Sequence, residues 1–277
     1  MPGAPILSLG TYGCNLSCDF CQNWQLSNPL PLAASLPVAL TPRQVLELAK
    51  NHNCSCAAFT YNEPTIWAEF VVDVAKLCRC EGVKTVLVTN GYISDQARED
   101  LYSVVDAVNV DLKGFSNSFY SELTGGDLNV VKETLIHVAR KGDVWLEITN
   151  LVIPERNDSS EEIRAMCEWI AESLGTEIPL HFSAFFPARR LTNATPTPIQ
   201  TLDRAAEIAR AAGIKYVYCG NVEANATTFC PNCGAELITR SRRYETTILD
   251  AFEIKTDANG RSVGACRHCG ARIAGVF

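Results

Sequence analysis

The sequence shows no apolar run long enough to cross a membrane, no pattern that reads as a leader near its N-terminus and no surplus of positive charge. Its most apolar loop, around Leu30 to Leu40, is interrupted by Pro31 and Pro37 and falls far short of the roughly 20 residues a spanning helix needs. Nothing near the N-terminus couples a charged segment to an apolar one, so a secretory leader is not expected. Twenty-four basic residues against 31 acidic ones leave a net charge of −7, which argues against a general nucleic-acid binder. What remains describes a soluble chain of 277 residues, 47% hydrophobic and 20% charged. It can bury one large α/β core with a small appendage and is expected in the cytoplasm.

Cysteine, by contrast, is abundant: thirteen residues. In a reducing compartment, thiols in tight groups point to metal or redox chemistry rather than disulfides. Cys14, Cys18 and Cys21 form one ordered group, and Cys230, Cys233, Cys266 and Cys269 another. The other six (Cys54, Cys56, Cys78, Cys80, Cys167 and Cys219) fall in strand-like or helix-like segments, where a free cysteine acts as a small core residue; a cluster site built from the 54/56 and 78/80 pairs is the alternative.

From Thr41 onward, helical and strand patterns alternate. Thr41-Pro42 is a helix start, with a capping hydroxyl followed by proline at the first helical position. Strands are expected at 6–9, 56–60, 85–89, 107–112, 144–152, 180–186 and 215–219. Helices are expected between them, with a break at Gly125-Gly126. This alternation implies parallel β/α units with right-handed crossovers. Their number suits a partial, open (β/α)6-type TIM barrel, with chemistry at the C-terminal strand ends. After Asn225 the pattern changes to cysteine knuckles, short strands at 244–249 and 252–255, and an Asn259-Gly260 turn. The expected division is a barrel over residues 1–226 and a four-cysteine module over 227–277.

The loop after the first strand reads Cys14-Asn15-Leu16-Ser17-Cys18-Asp19-Phe20-Cys21. Three thiolates at this spacing can hold a zinc ion, or a [4Fe–4S] cluster with one iron left open. The C-x3-C-x2-C spacing, with an aromatic residue before the third cysteine, is the hallmark of the radical S-adenosylmethionine (SAM) superfamily. Together with Gln22-Asn23-Trp24 it resembles the pyruvate formate-lyase activating enzymes, and most of all the radical enzymes of the AmmeMemoRadiSam system. Thr89-Asn90-Gly91-Tyr92, Asp111-Leu112-Lys113-Gly114, Leu151–Asp158, Tyr218–Val222 and the terminal Cys-Pro-Asn-Cys-Gly extend the resemblance over nearly the whole chain.

The resemblance implies that Cys14, Cys18 and Cys21 ligate a [4Fe–4S] cluster whose open iron chelates SAM, with no catalytic side chain beyond cluster and cofactor. Phe20, within the motif, is expected to contact the cofactor. Tyr61-Asn62-Glu63-Pro64 stands where the superfamily usually has Gly-Gly-Glu-Pro, so Tyr61, Asn62 and Glu63 are expected near the methionine ammonium. Glu63 also reads as a helix-start carboxylate facing a macrodipole. Asp111 and Lys113, two apart in a strand, share one face; they suit the cofactor's ammonium and carboxylate respectively, or form a plain internal ion pair. Asn90 reads equally as a cofactor contact or as part of a turn, and Leu151-Val152-Ile153 is expected beside the adenine or, equally, in the core. The ribose-contacting histidine of the better-known activating enzymes has no counterpart, because this strand ends Phe185-Phe186-Pro187 and His181 is given no role. Only 13 residues precede Cys14, fewer than in relatives of this kind, so substrate capture is expected to differ.

The tail carries Cys230-Pro231-Asn232-Cys233-Gly234 and Cys266-Arg267-His268-Cys269-Gly270. Paired C-x2-C knuckles, each followed by a turn-permitting glycine, indicate a zinc ribbon, with four-thiolate iron as the alternative. Residues 227–277 hold seven basic and five acidic residues. Arg240, Arg242 and Arg243 beside Tyr244 suit RNA, an acidic protein or simply a solvated face, and a structural or partner-docking role is the first reading. The expected activity is radical hydrogen abstraction from a substrate, a protein in the first reading, with flavodoxin or ferredoxin as electron donor. Modification of a small molecule or RNA is a second reading, and a metal-bound module without activity a third.

Overall fold

Seven parallel strands line up in the order in which the chain makes them. The computed structural model describes residues 1–28, 39–223, 226–241, 246–257 and 262–277. Most of the apolar stretch at 30–40, Arg242, Arg243, Tyr244 and the Asn259-Gly260 turn lie outside them. The order is β1 (Ile6–Leu9), α1 (Trp24–Ser27), α2 (Pro42–Asn51), β2 (Cys56–Phe59), α3 (Ala68–Cys80), β3 (Lys84–Thr89), α4 (Asp95–Tyr102) and β4 (Ala107–Asp111). Then follow α5 (Asn117–Phe119), α6 (Leu128–Lys141), β5 (Trp145–Val152), α7 (Ser160–Ser173), β6 (Leu180–Ala184), α8 (Ile199–Ala211) and β7 (Val217–Gly220). Each neighbouring pair is parallel, so each connection is a crossover. Six crossovers over a sheet whose edges are β1 and β7 make the open partial barrel.

Local chemistry starts and stops these elements where the alternation places them. At α2, the Thr41 hydroxyl accepts from Gln44 N–H at 3.3 Å while the Gln44 side chain accepts from Thr41 N–H at 2.8 Å, a reciprocal capping box with proline next in line. Val45, Leu46 and Ala49 form its buried face. The segment at 116–140 breaks where glycine occurs: a π-helical turn over Tyr120–Thr124 ends at Gly125, φ +74°, before α6 begins. β6 stops two residues earlier than the apolar pattern suggests. Phe185 N–H leaves the ladder to donate to Thr197 Oγ1 at 2.8 Å, and that hydroxyl donates to Val152 O at 2.6 Å.

Strand alternation sorts side chains into two populations. On β5, Leu146, Ile148, Asn150 and Val152 are buried, whereas Glu147, Thr149 and Leu151 on the other face are only half-buried. The second set faces the barrel interior. There Glu147 pairs with His181 at 2.7 Å, and the His181 ring stacks on Tyr218 at 4.9 Å.

The tail forms two small antiparallel sheets: β8 (Ala226–Phe229), β9 (Glu236–Ser241) and β10 (Thr246–Leu249), then β11 (Phe252–Thr256), β12 (Ser262–Cys266) and β13 (Arg272–Ile273). Its separate apolar core contains Leu237, Ile238, Phe252 and Ile273, together with Tyr216 from the approach to β7. The Tyr216 hydroxyl accepts from Ala274 N–H at 3.1 Å. Arg240 lies over the Tyr218 ring, 5.9 Å from its centroid. Among the described residues no helix is long and apolar enough to cross a membrane.

The C-terminal ends of β4 and β5 are fixed by two buried asparagines. Asn150 donates to Leu112 O at 2.8 Å. Asn157 donates to Lys113 O at 2.7 Å and Leu151 O at 2.9 Å, and accepts from Ile153 N–H at 2.7 Å. Replacing Asn157 with alanine leaves that buried N–H and two carbonyls without partners. The expected loss is about 2–4 kcal/mol of unfolding free energy, measured by urea denaturation, and a loss under about 0.5 kcal/mol would show that the strand ends do not depend on it.

Candidate functional site

The loop between β1 and α1 has no helix or strand between Gly10 and Asn23, so its shape comes from its neighbours. Ser17 N–H and Asp19 N–H donate to Thr124 O and Leu123 O, at 2.9 and 2.8 Å. From the turn after β2, Asn62 accepts from Thr11 N–H at 3.1 Å and donates to Gly13 O at 2.9 Å. From the end of β3, the Asn90 amide donates to Asn15 Oδ1 at 2.8 Å and lies 3.8 Å from the Cys14 sulfur. Gly91, φ +68°, follows; a Cβ there would meet Val110 at 2.9 Å, so only glycine lets the chain turn away.

This bracing puts Cys14, Cys18 and Cys21 along one cleft at the C-terminal ends of the strands. Phe20, Tyr61, Asn62, Glu63, Asn90, Asp111 and Lys113 line the same cleft, so every cleft residue expected from the sequence is brought together. Their roles differ in geometry. Phe20 is buried and packs on the Phe119 ring at 5.6 Å. Tyr61 is exposed and sits at φ +70°, left-handed backbone at one of the two positions where the superfamily usually has glycine.

Glu63 is 1% exposed. One carboxylate oxygen accepts from Thr65 N–H, Thr65 Oγ1–H and Thr89 Oγ1–H at 2.9, 2.7 and 2.7 Å. The other accepts from Asn90 N–H at 2.8 Å. It thus caps the short 3-10 helix at Pro64–Trp67 and ties the turn after β2 to the end of β3. Burial raises its proton affinity above the ordinary carboxylate range, and these hydrogen bonds pull the other way.

Lys113 Nζ lies 3.0 Å from Asp111 Oδ2. Burial by itself would disfavour the ammonium, but the Asp111 carboxylate and the nearby Cys18 hold Lys113 above the usual lysine range. Tyr120 OH accepts from Lys113 N–H at 3.1 Å. Burial also raises the thiols: Cys14 upward, and Cys18 to about 11 against the pull of Lys113. Buried thiols of this kind ionise readily only when a metal offsets the charge.

Among the lining residues that sequence reasoning did not single out are Thr149, Ser183, Arg189 and Asn221. The first two follow from parity, lying two residues beyond Glu147 and His181 on the inward face. The last two lie in loops with positive φ, +52° and +57°, and only the structure places them.

The two cysteine groups differ in spacing. Among the described residues, Cys230, Cys233, Cys266 and Cys269 alone form a group of such ligands with all atoms within 4.8 Å of one another. Cys230–Cys269 and Cys233–Cys266 sulfurs are 3.6 and 3.7 Å apart, close to the edge of about 3.8 Å in a tetrahedron with metal–sulfur bonds near 2.3 Å. Hydrogen bonds from Asn232 and Ala271 pull the Cys269 thiol down, while Cys233 is held up by its neighbouring thiols despite a bond from Ala235. Cys14, Cys18 and Cys21 lie apart from that group, in the cleft.

Comparison with known proteins agrees with this arrangement. A family model described as the radical SAM superfamily matches residues 8–170. The chain is 39% identical over 275 residues to an uncharacterized protein of Methanocaldococcus jannaschii, covering 98% of this chain and 78% of that one. It is 27% identical over 179 residues to the pyruvate formate-lyase-activating enzyme of Clostridium pasteurianum, covering 61% and 72%. Among solved structures, Streptococcus suis SuiB bound to S-adenosylmethionine superposes with a TM-score of 0.60 at 17% identity, covering 79% of this chain and 51% of that chain; at that identity the likeness concerns the fold.

The four-thiol geometry generates a direct test. Cys233→Ser should cost the purified protein about one equivalent of bound metal by elemental analysis and lower the thermal stability of the tail. Unchanged metal content would remove Cys233 from the ligand set.

Proposed function

The chain belongs to the radical SAM superfamily and is a radical SAM enzyme, and from that premise we propose that Cys14, Cys18 and Cys21 hold a [4Fe–4S] cluster for the reductive cleavage of S-adenosylmethionine. The observation that carries the reading is the single cleft that gathers three thiols and the Asp111–Lys113 pair at the C-terminal strand ends. When bound, the cluster and cofactor would supply the radical chemistry, a one-electron reductive cleavage of the sulfonium that leads to hydrogen abstraction from the substrate.

The chain's own residues then bind and orient. Asp111 receives the cofactor's ammonium and Lys113 its carboxylate, the two paired with each other until the zwitterion is bound. Tyr120, Asn150 and Asn157 fix the backbone of this segment. Leu151 and Thr149 offer the adenosyl group a wall, and Phe20 closes the cleft on the cluster side. Glu63 acts through the backbone, since its oxygens are already engaged by four protein donors. Asn62 and Asn90 hold the cysteine loop, and the Asn90 amide beside the Cys14 sulfur can hydrogen-bond the thiolate.

Relatives named as activating enzymes of pyruvate formate-lyase favour a protein substrate, with a flavodoxin or ferredoxin as reductant. The tail's four thiols favour zinc, whose tetrahedral preference their spacing matches, and the module serves as a structural or partner-docking element.

Anaerobic reconstitution with iron and sulfide, followed by dithionite and S-adenosylmethionine, should yield 5′-deoxyadenosine. Cys14→Ser should abolish it and leave the tail's metal in place; full cleavage by that variant would sink the ligand assignment. Lys113→Met should raise the cofactor concentration at half-maximal cleavage by about tenfold or more, equivalent to roughly 1.4 kcal/mol of lost binding. An unaltered value would reduce the pair to an internal ion pair.

A further inference from the structure

One cation in the cleft wall has no part in that reading. Arg189 lies five residues beyond the end of β6 and lines the cleft at φ +52°, a backbone conformation that bulky residues adopt only when their surroundings impose it. Its Nη1 donates to the carbonyl of Cys18 at 2.5 Å. The adjacent Arg190 secures the same loop differently, with its N–H on Asp19 O at 2.9 Å and its guanidinium on the Asp19 carboxylate at 2.9 Å. Two consecutive arginines therefore grip two consecutive residues of the cysteine loop.

Their charges are not equivalent. Arg190 is exposed, and Asp19 neutralises it. Lys113, the other cation of the cleft, has Asp111 as its partner. Arg189 is half-buried and spends one N–H on a neutral carbonyl; among the described residues no carboxylate lies within 4.0 Å of its guanidinium. A [4Fe–4S] core with three thiolates carries one net negative charge when oxidised and two when reduced. A cation without a counter-ion, held against the residue that bears the middle thiol, stabilises the second state more than the first.

We propose that Arg189 is the charge that raises the reduction potential of the cluster and so eases the one-electron reduction that cofactor cleavage needs. The inference rests on the cluster assignment above and concerns how that site is tuned.

The test is an anaerobic redox titration of the cluster-loaded protein, followed by electron paramagnetic resonance, for wild type, R189Q, R189K and R190Q. Glutamine retains a donor for the Cys18 carbonyl and loses the charge, whereas lysine retains the charge and loses the planar fork. R189Q should titrate at a more negative midpoint, with the reduction equilibrium at least tenfold less favourable, which is 59 mV for one electron. R189K should stay near wild type, and R190Q should not shift. An R189Q midpoint equal to wild type, or an equal shift in R190Q, overturns the proposal. So does failure of R189Q and R189K alike to retain the cluster, which assigns Arg189 to holding the loop. A wild-type protein with no [4Fe–4S] signal after reconstitution fails the cluster assignment itself, a result distinguishable from all of these.

Discussion

A buried carboxylate holds the site in register. An ionised group taken out of water is tolerated only where donors replace the water, and Glu63 has four of them from two strand ends. The turn after β2 and the end of β3 therefore move as one piece. Asn62 reaches from the first and Asn90 from the second, and between them they fix Thr11, Gly13 and Asn15. A cysteine loop with no regular structure of its own is thus given its shape by asparagine amides that are themselves anchored to a carboxylate. The carboxylate oxygens of Glu63 are engaged by protein donors, whereas Asp111 and Lys113 pair with each other at the cleft wall.

The chain uses thiols in two distinct ways. In the tail, four sulfurs lie within 4.8 Å of one another, two pairs of them at tetrahedral-edge distances. In the cleft, three cysteines share the lining with a half-buried ion pair. Each group has its own apolar surroundings.

Much of the barrel was legible because its signals are local. Capping at Thr41, the glycine break at 125–126 and the alternation along β5 each involve residues within a few positions of one another. So does the Asp111–Lys113 relation, which follows from the two-residue period of a strand. The cysteine groups announce themselves by spacing. What escaped were partnerships across the chain: Arg189 meets Cys18 across 171 positions, and Asn157 meets Lys113 across 44. No periodicity reports such pairs. The two readings of Glu63 could not be separated either, because the choice depends on where Thr89 and Asn90 arrive. The early end of β6 depends on Thr197, which lies beyond the strand. In the tail, β8, β9, β12 and β13 are short and interrupted by knuckles, so their alternation has too few repeats to stand out.

Tyr216 belongs to the tail's core although it precedes β7. During synthesis the ribosome releases the chain in order, so residues 1–220 can assemble their sheet and helices while the last fifty or so are still being made. For that interval Tyr216 is an uncovered apolar surface with a hydroxyl awaiting the N–H of Ala274. Residues 226–277 emerge after it, and in the folded chain their core covers that ring, quite apart from any metal they hold.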